Sequence, residues 1–94
     1  MKDQIETFVA HSQTNIIDRA ELMGDQKLEI QYGKKYARIV RKDSRLQGGS
    51  AWGFVDMTTG AILKAAGWKA PAKNFARGNI NNPKTWDFEW TGIE

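Results

Sequence analysis

The sequence contains no cysteine and a single histidine, His11. Without cysteine the chain has no disulfide, no thiolate metal ligand and no cysteine nucleophile. General acid–base catalysis needs a partner within hydrogen-bond reach, and Ser12, next to His11 in sequence, does not share its face of a helix. No spacing of His, Asp or Glu is typical of a metal site. We therefore expect no catalytic residue, no metal and no cofactor, and predict that the protein is not an enzyme.

Long apolar runs are also missing. No stretch approaches the roughly 20 apolar residues of a membrane span. The first residues, MKDQIETFVAHSQ, lack the apolar core of a signal peptide. The expected location is the cytoplasm of the cell that makes the protein, with no membrane partner.

Apolar residues nevertheless make up 40% of the chain, and four tryptophans, four phenylalanines and two tyrosines are present. A chain of this length buries roughly 60 to 65% of its unfolded surface. The composition is therefore typical of a folded chain and not of a disordered one. We predict a single domain that spans residues 1–94.

Charge is distributed unevenly along the chain. Residues 1–26 carry two cations and five acids, residues 27–84 carry twelve cations and three acids, and residues 85–94 carry three acids and no cation. A basic middle between acidic ends suggests an anionic partner for the middle. The alternative is that the acidic helix packs near the basic sheet and neutralises it.

Hydrophobic periodicity predicts an α+β domain, in which an N-terminal helix packs on an antiparallel sheet of about five strands. The helix is expected over residues 3–23, with Gly24 just past its end. A short basic helix over residues 71–77, between Pro71 and Gly78, is expected before the last strand. The strands are predicted at residues 27–31, 36–42, 50–56, 61–68 and 85–93.

The predicted third strand alternates Trp52 and Phe54 on one face with Gly53 and Val55 on the other. The turn that follows, residues 57–60, is expected to place Gly60 at positive φ. Asp56 precedes that turn, and its carboxylate is expected to cap backbone amides two residues on. Residues 43–49 are predicted to form a glycine-bearing loop.

The stretch FVDMTTGAILKAAGWKAPAKNFARGNI, residues 54–80, resembles a pattern found in small uncharacterised proteins of tailed bacteriophages. In that pattern F-[IV]-D, T-G and L-K-A-A are followed by W-K-A-P-A-K and A-R-G-N-I. Here Asn74 and Phe75 lengthen the spacer before Ala76. The resemblance implies a phage protein in a host bacterial cytoplasm and brings no established activity. By analogy, small phage proteins often inhibit host systems, and some sequester nucleotide immune signals.

Cations and aromatic residues of residues 52–79 are the candidate ligand site. Arginine binds phosphate bidentately, lysines act as point charges, and tryptophan rings stack on bases. The start of the predicted short helix adds amide donors for an anion. The alternative to a ligand site is that the tryptophans belong to the core and the lysines lie on a solvated face. The candidate ligand-binding residues are Trp52, Lys64, Trp68, Lys69, Lys73, Arg77 and Asn79.

Two functions of different classes follow from these residues. The first is a module that sequesters a phosphorylated nucleotide, for example a cyclic one used as an immune signal, with a homo-oligomer favoured if the ligand is symmetric. The second is a single-stranded nucleic-acid binder whose affinity falls steeply with salt. A third is an inhibitor of a host protein, although the positive charge argues against mimicry of DNA. The direction in which Lys64 points is left open by the sequence.

Overall fold

A computed structural model describes residues 1–22, 25–43 and 49–94 of the chain. An N-terminal α-helix, α1 (Lys2–Ser12), continues into a π-helical turn (Gln13–Ile17) and a 3-10 turn (Asp18–Ala20). Five strands follow in one antiparallel sheet of order β1-β2-β3-β4-β5, and a 3-10 turn, Pro83–Thr85, comes after them. The predicted α+β fold with five antiparallel strands is confirmed. The strands are β1 (Gln26–Tyr32), β2 (Tyr36–Asp43), β3 (Gly49–Asp56), β4 (Ala61–Leu63) and β5 (Gly78–Asn79).

Helix α1 packs on the sheet through one apolar stripe. Ile5, Phe8 and Val9 recur at the three- and four-residue spacing of a helix face, and all are buried in the core. The helical region ends at Ala20, where Glu21 takes a left-handed conformation with φ of 52°. The predicted end at residue 23, and the glycine after it, lie outside the described residues. No helix within residues 1–22, 25–43 and 49–94 is long and apolar enough to cross a membrane.

A β-bulge in β3 changes which side chains face the helix. Ile39 pairs with Gly53 while Val40 pairs with Ala51, so Trp52 is left as the extra residue on β3. The bulge interrupts the alternation, and Trp52 therefore faces the helix side of the sheet together with Val55. The prediction that Trp52 shares a face with Phe54 is wrong for this reason.

The C-terminal residues do not form the predicted strand 85–93. Trp86 is buried against Phe8, with ring centroids 5.4 Å apart, and its indole Nε1 donates to the carbonyl of Asn79 at 3.0 Å. Farther on, the amide of Ile93 donates to the carbonyl of Trp52 at 2.8 Å, outside any regular ladder. The aromatic residues thus anchor this segment to the core by side chains, and Gly78–Asn79 takes the edge of the sheet instead.

Residues 64–77 form an extended, folded-back segment that we call the arm. The predicted strand over 61–68 is confirmed only for Ala61–Leu63, and the predicted helix over 71–77 is wrong, because the arm's amides do not donate to carbonyls four residues back. Pro71 forms an isolated bridge with Ala65. The backbone bonds run from Ala66 N to Ala70 O (3.0 Å), from Ala72 N to Lys64 O (2.7 Å) and from Arg77 N to Ile62 O (2.8 Å).

The β3–β4 turn has the predicted chemistry. Gly60 has a φ of 80°, in the region that favours glycine. The Asp56 carboxylate accepts hydrogen bonds from the amides of Thr58 at 2.8 Å and Thr59 at 3.3 Å. The expected capping role of Asp56 is therefore confirmed. The predicted loop between β2 and β3 falls largely on residues 44–48, which lie outside the described part of the chain.

Ser12 provides a test of the core under α1. Its hydroxyl is fully buried and has no hydrogen-bond partner among the described residues. Replacing it with alanine removes an unsatisfied hydroxyl and adds helix propensity, so we expect Ser12→Ala to raise the free energy of unfolding by about 1 kcal/mol. Thermal unfolding should show a Tm higher by roughly 4 to 8 °C. Thr14→Ala, at an exposed site of the same helical region, is the control, and a lower Tm for Ser12→Ala would contradict the assignment.

Candidate functional site

The arm covers the face of the sheet opposite α1. Phe54 and Leu63 are paired across β3 and β4, and both are buried without belonging to the core under the helix. Pro71 of the arm is buried as well. The sheet is therefore covered on both faces, by the helix on one and by the arm on the other.

Arg38 of β2 joins the tip of the arm to the sheet. Its guanidinium carbon lies 4.5 Å from the centroid of the Trp68 ring and 6.0 Å from that of the Phe54 ring. Nη1 donates to Gln31 Oε1 at 2.7 Å, whereas the buried Nε has no acceptor among the described residues. A cation over an aromatic ring contributes about 0.5–2 kcal/mol, depending on desolvation. Arg38 thus fixes the tip of the arm, and its guanidinium keeps N–H groups that are not all used in hydrogen bonds with the described residues.

A hollow of about 420 Å³ opens between the β1–β2 turn and the tip of the arm. Its walls combine cationic side chains with aromatic rings, and we call it the cationic hollow. Lys34, Lys35 and Lys69 are exposed there, and Arg38 is half-buried. The lining residues are Gln31, Tyr32, Gly33, Lys34, Lys35, Tyr36, Arg38, Phe54 and Lys69.

The ring of Tyr36 lies close to two ammonium groups, that of Lys35 from the lining and that of Lys73 from the arm. Lys35 Nζ lies 5.4 Å and Lys73 Nζ 5.5 Å from its centroid. The negative face of an aromatic ring attracts both cations. Lys73 of the arm is therefore held near the hollow although it does not line it.

Tyr32 bounds the hollow on the side of β1. Burial first, and then the carboxylates of Glu6 and Asp3, raise the pKa of its hydroxyl above the ordinary value. The hydroxyl therefore stays protonated at neutral pH. It adds a hydrogen-bond donor and no negative charge to the rim.

The structure brings together three of the predicted site residues. Trp68, Lys69 and Lys73 lie at or beside the cationic hollow. Lys64 does not line it: the residue follows the end of β4, its side chain is exposed, and its carbonyl accepts from the amide of Ala72. The Lys64 side chain therefore points into solvent, which answers the question that the sequence left open.

Two other predicted residues, Trp52 and Asn79, have structural roles elsewhere. Trp52 is 1% exposed and its indole Nε1 donates to the carbonyl of Trp90 at 3.0 Å, so it belongs to the core. The Asn79 side chain donates to the carbonyl of Thr59 and accepts from the amide of Asn81, which holds the turn. Neither side chain lines the cationic hollow.

Arg77 lies in a different concavity, lined also by Asp87, Glu89 and Glu94. The expectation that Lys73 and Arg77 share one face depended on a helix over 71–77. The extended backbone places Lys73 beside Tyr36 and Arg77 away from it. Arg77 therefore lies near acids of the C-terminal segment and not at the predicted phosphate site.

Sequence reasoning missed the contribution of the β1–β2 turn. Lys34, Lys35 and Arg38 lie in the basic middle of the chain, but the candidate residues chosen from the sequence all lie within residues 52–79. The available signal was the density of cations in residues 34–42. Their meeting with Lys69, far along the chain, depends on the folding back of the arm.

His11 takes no part in this site. It lies exposed on α1, its ring 5.3 Å from that of Trp86, and Asn15 Nδ2 approaches its Nδ1 at 3.2 Å. Over residues 1–22, 25–43 and 49–94, no three His, Asp or Glu side chains converge as a metal ion would require.

Fold and site together define a small α+β protein with a helix on one face of its sheet and a cationic, aromatic hollow on the other. The sequence profile of a family of unknown function, DUF7717, matches residues 1–93, so the chain belongs to that family. No curated protein and no solved structure matches the chain.

The attachment of the arm is testable by hydrogen exchange. Trp68→Ala removes the ring that Arg38 contacts, so the arm should open more often and the amide of Ala72, bonded to the Lys64 carbonyl, should exchange about fivefold faster or more. The control is Trp90→Ala, because the Trp90 ring also lies over an arginine, Arg41, at 5.2 Å. Unchanged exchange at Ala72 in Trp68→Ala, or an equal effect of the control, would contradict the role of this contact.

Proposed function

We propose that this protein binds a phosphorylated nucleotide in the cationic hollow and releases it unchanged. The observation that carries the proposal is the convergence of four cations and three aromatic rings on one hollow, with the ring of Trp68 beside it; these residues come from the β1–β2 turn, from β3 and from the arm. Cations for phosphate and flat rings for a base are the two requirements of nucleotide recognition. The cations are Lys34, Lys35, Arg38 and Lys69, and the rings are Tyr32, Tyr36, Phe54 and Trp68.

Phosphate recognition would divide between two kinds of cation. Lys34, Lys35 and Lys69 are exposed, so their ammonium groups reach an incoming phosphate as mobile point charges. Arg38 is fixed by its ring contacts and by Gln31, and it offers planar donors at a defined position. A fixed arginine surrounded by mobile lysines accommodates phosphates in more than one arrangement.

Base recognition would fall to Trp68. One face of its ring receives Arg38, while 43% of the side chain is exposed at the tip of the arm. A base that stacks on the exposed part gains about 1–3 kcal/mol. The same ring would then hold the arm to the sheet and the base to the arm.

The dimensions of the hollow favour a small ligand. Its volume of about 420 Å³ falls within the 300–1,000 Å³ of small-molecule sites. Within residues 1–22, 25–43 and 49–94, the lining consists of Lys, Arg, Tyr, Phe, Gln and Gly residues and includes neither a carboxylate nor an imidazole that could serve as a general base. These features support binding without chemistry over catalysis.

Sequestration would be the biological use of such a site. The resemblance of residues 54–80 to proteins of tailed phages motivates the finer proposal, that the ligand is a cyclic nucleotide immune signal held in the cytoplasm of a bacterial host. Positive charge and absent catalytic groups suit a protein that removes a signal by holding it. The phage origin, the location in the host cytoplasm and the identity of the ligand are all parts of this one finer proposal.

Calorimetry with a panel of cyclic di- and oligonucleotides and linear mononucleotides tests the proposal. Wild-type protein should give binding heat with at least one nucleotide. Lys34→Gln combined with Lys69→Gln should weaken that binding about tenfold or more, because each lost charge-assisted hydrogen bond costs about 1.5–3 kcal/mol. Lys84→Gln, an exposed lysine outside the hollow, should leave the affinity unchanged.

Two results would overturn the proposal. Absence of heat across the panel would exclude a nucleotide site of useful affinity. Affinity that grows with oligonucleotide length and falls by about 0.7 in log K per neutralised phosphate as log salt rises would favour the single-stranded nucleic-acid binder instead.

A further inference from the structure

The side-chain amide of Gln31 has a fixed orientation in the wall of the cationic hollow. Gln31 lies near the end of β1, opposite Arg38 in the sheet register, and it lines the hollow. Its Oε1 accepts from Arg38 Nη1 at 2.7 Å. Because a guanidinium has donors only, the amide cannot be turned over to place its nitrogen against Arg38. The amide nitrogen is therefore the polar group that Gln31 leaves for a ligand.

Both N–H groups of the Gln31 amide are free to donate. Among the described residues they have no acceptor, and the side chain is exposed. Arg38 Nη2 also has no acceptor there, since the guanidinium bonds to Gln31 through Nη1 alone. Two neighbouring side chains thus provide unused donors on the same wall.

The rest of the lining also consists largely of donors. Lys34, Lys35 and Lys69 carry ammonium groups, which donate and do not accept. The hydroxyls of Tyr32 and Tyr36 both donate and accept, and the raised pKa of Tyr32 keeps its proton in place at neutral pH. A carbonyl oxygen or ring nitrogen of a base therefore meets many donors here, whereas an amino group meets few side-chain acceptors.

Nucleobases differ in the groups that they present to such a wall. On the edge that faces the major groove in a duplex, guanine has two adjacent acceptors, O6 and N7. Adenine has the N7 acceptor beside the N6 amino group, which donates. This edge is remote from the sugar and stays free in linear and cyclic nucleotides alike. Neighbouring donors on Gln31 and Arg38 match guanine and oppose the amino group of adenine.

We propose that the cationic hollow selects guanine nucleotides, with the side-chain amide of Gln31 and the guanidinium of Arg38 donating to O6 and N7 of the base. The inference rests on the proposed function, because it needs a nucleotide in the hollow. Gln31 bonds to the guanidinium that lies 4.5 Å from the centroid of the Trp68 ring, so the amide is next to the stacking surface. Lysines and the Trp68 ring bind phosphates and ring faces that all nucleotides share. Gln31 is the specificity-determining residue.

Calorimetry with nucleotides that differ only in the base tests the preference. The matched pairs are cyclic di-GMP with cyclic di-AMP, and GMP with AMP. Wild-type protein should bind the guanine member of a pair about tenfold or more tightly. IMP retains O6 and N7 and should bind like GMP. 7-Deaza-GMP lacks the N7 acceptor and should bind several-fold more weakly than GMP.

Gln31→Met assigns the preference to the side chain. Methionine keeps the length of glutamine and removes both N–H groups, so the ratio of guanine to adenine affinity should fall about fivefold or more. The loss should come from weaker guanine binding, and the difference between GMP and 7-deaza-GMP should shrink. Gln4→Met makes the same change at an exposed position of α1 outside the hollow and should keep the wild-type ratio. Thermal unfolding checks that both variants are folded.

The possible failures of the two proposals are distinguishable. If no nucleotide of the panel binds, the proposed function fails and the guanine preference fails with it. If nucleotides bind without a preference for guanine, or if IMP binds as weakly as AMP, only the assignment of the base is overturned. A guanine preference that Gln31→Met retains in full would overturn the role of Gln31.

Discussion

The contact of Arg38 with the rings of Phe54 and Trp68 organises the face of the sheet away from the helix. It fixes the tip of the arm above β2, on the face of the sheet where Phe54 and Leu63 are buried. Without the folded-back arm, Lys69 would not meet the lysines of the β1–β2 turn. The cationic hollow is therefore a consequence of one cation between two rings, not of a helix or a long strand.

Opposite charges are separated on this small molecule. Acids of the helical region line a concavity beside β1, and those of the C-terminus line the concavity that contains Arg77. The alternative interpretation, that the acidic helix neutralises the basic sheet, does not apply to Lys34, Lys35 and Lys69, because the lining of the cationic hollow contains no carboxylate among the described residues. This residual positive charge is what an anionic ligand would meet.

Periodicity predicted the helix face, the first three strands and the Asp56 turn because these depend on local spacing. The bulge at Trp52 has no local signal, and it moved that residue from a candidate stacking surface into the core. Pro71 and Gly78 are compatible with a short helix between them. The segment is extended instead, because its amides donate to carbonyls of residues distant in sequence. The composition of residues 27–84 showed that this part of the chain is rich in lysine. Which of these lysines meet in one hollow could not be predicted, because their meeting depends on contacts between residues far apart in sequence.

Nuclear magnetic resonance titration of the labelled protein with a cyclic dinucleotide tests the central claim most directly, because it locates binding residue by residue. The account predicts saturable shifts of the amides of residues 31–38 and 67–69, and little change in residues 5–28. Shifts confined to residues 5–28, or no saturable shift with any nucleotide of the panel, would contradict it.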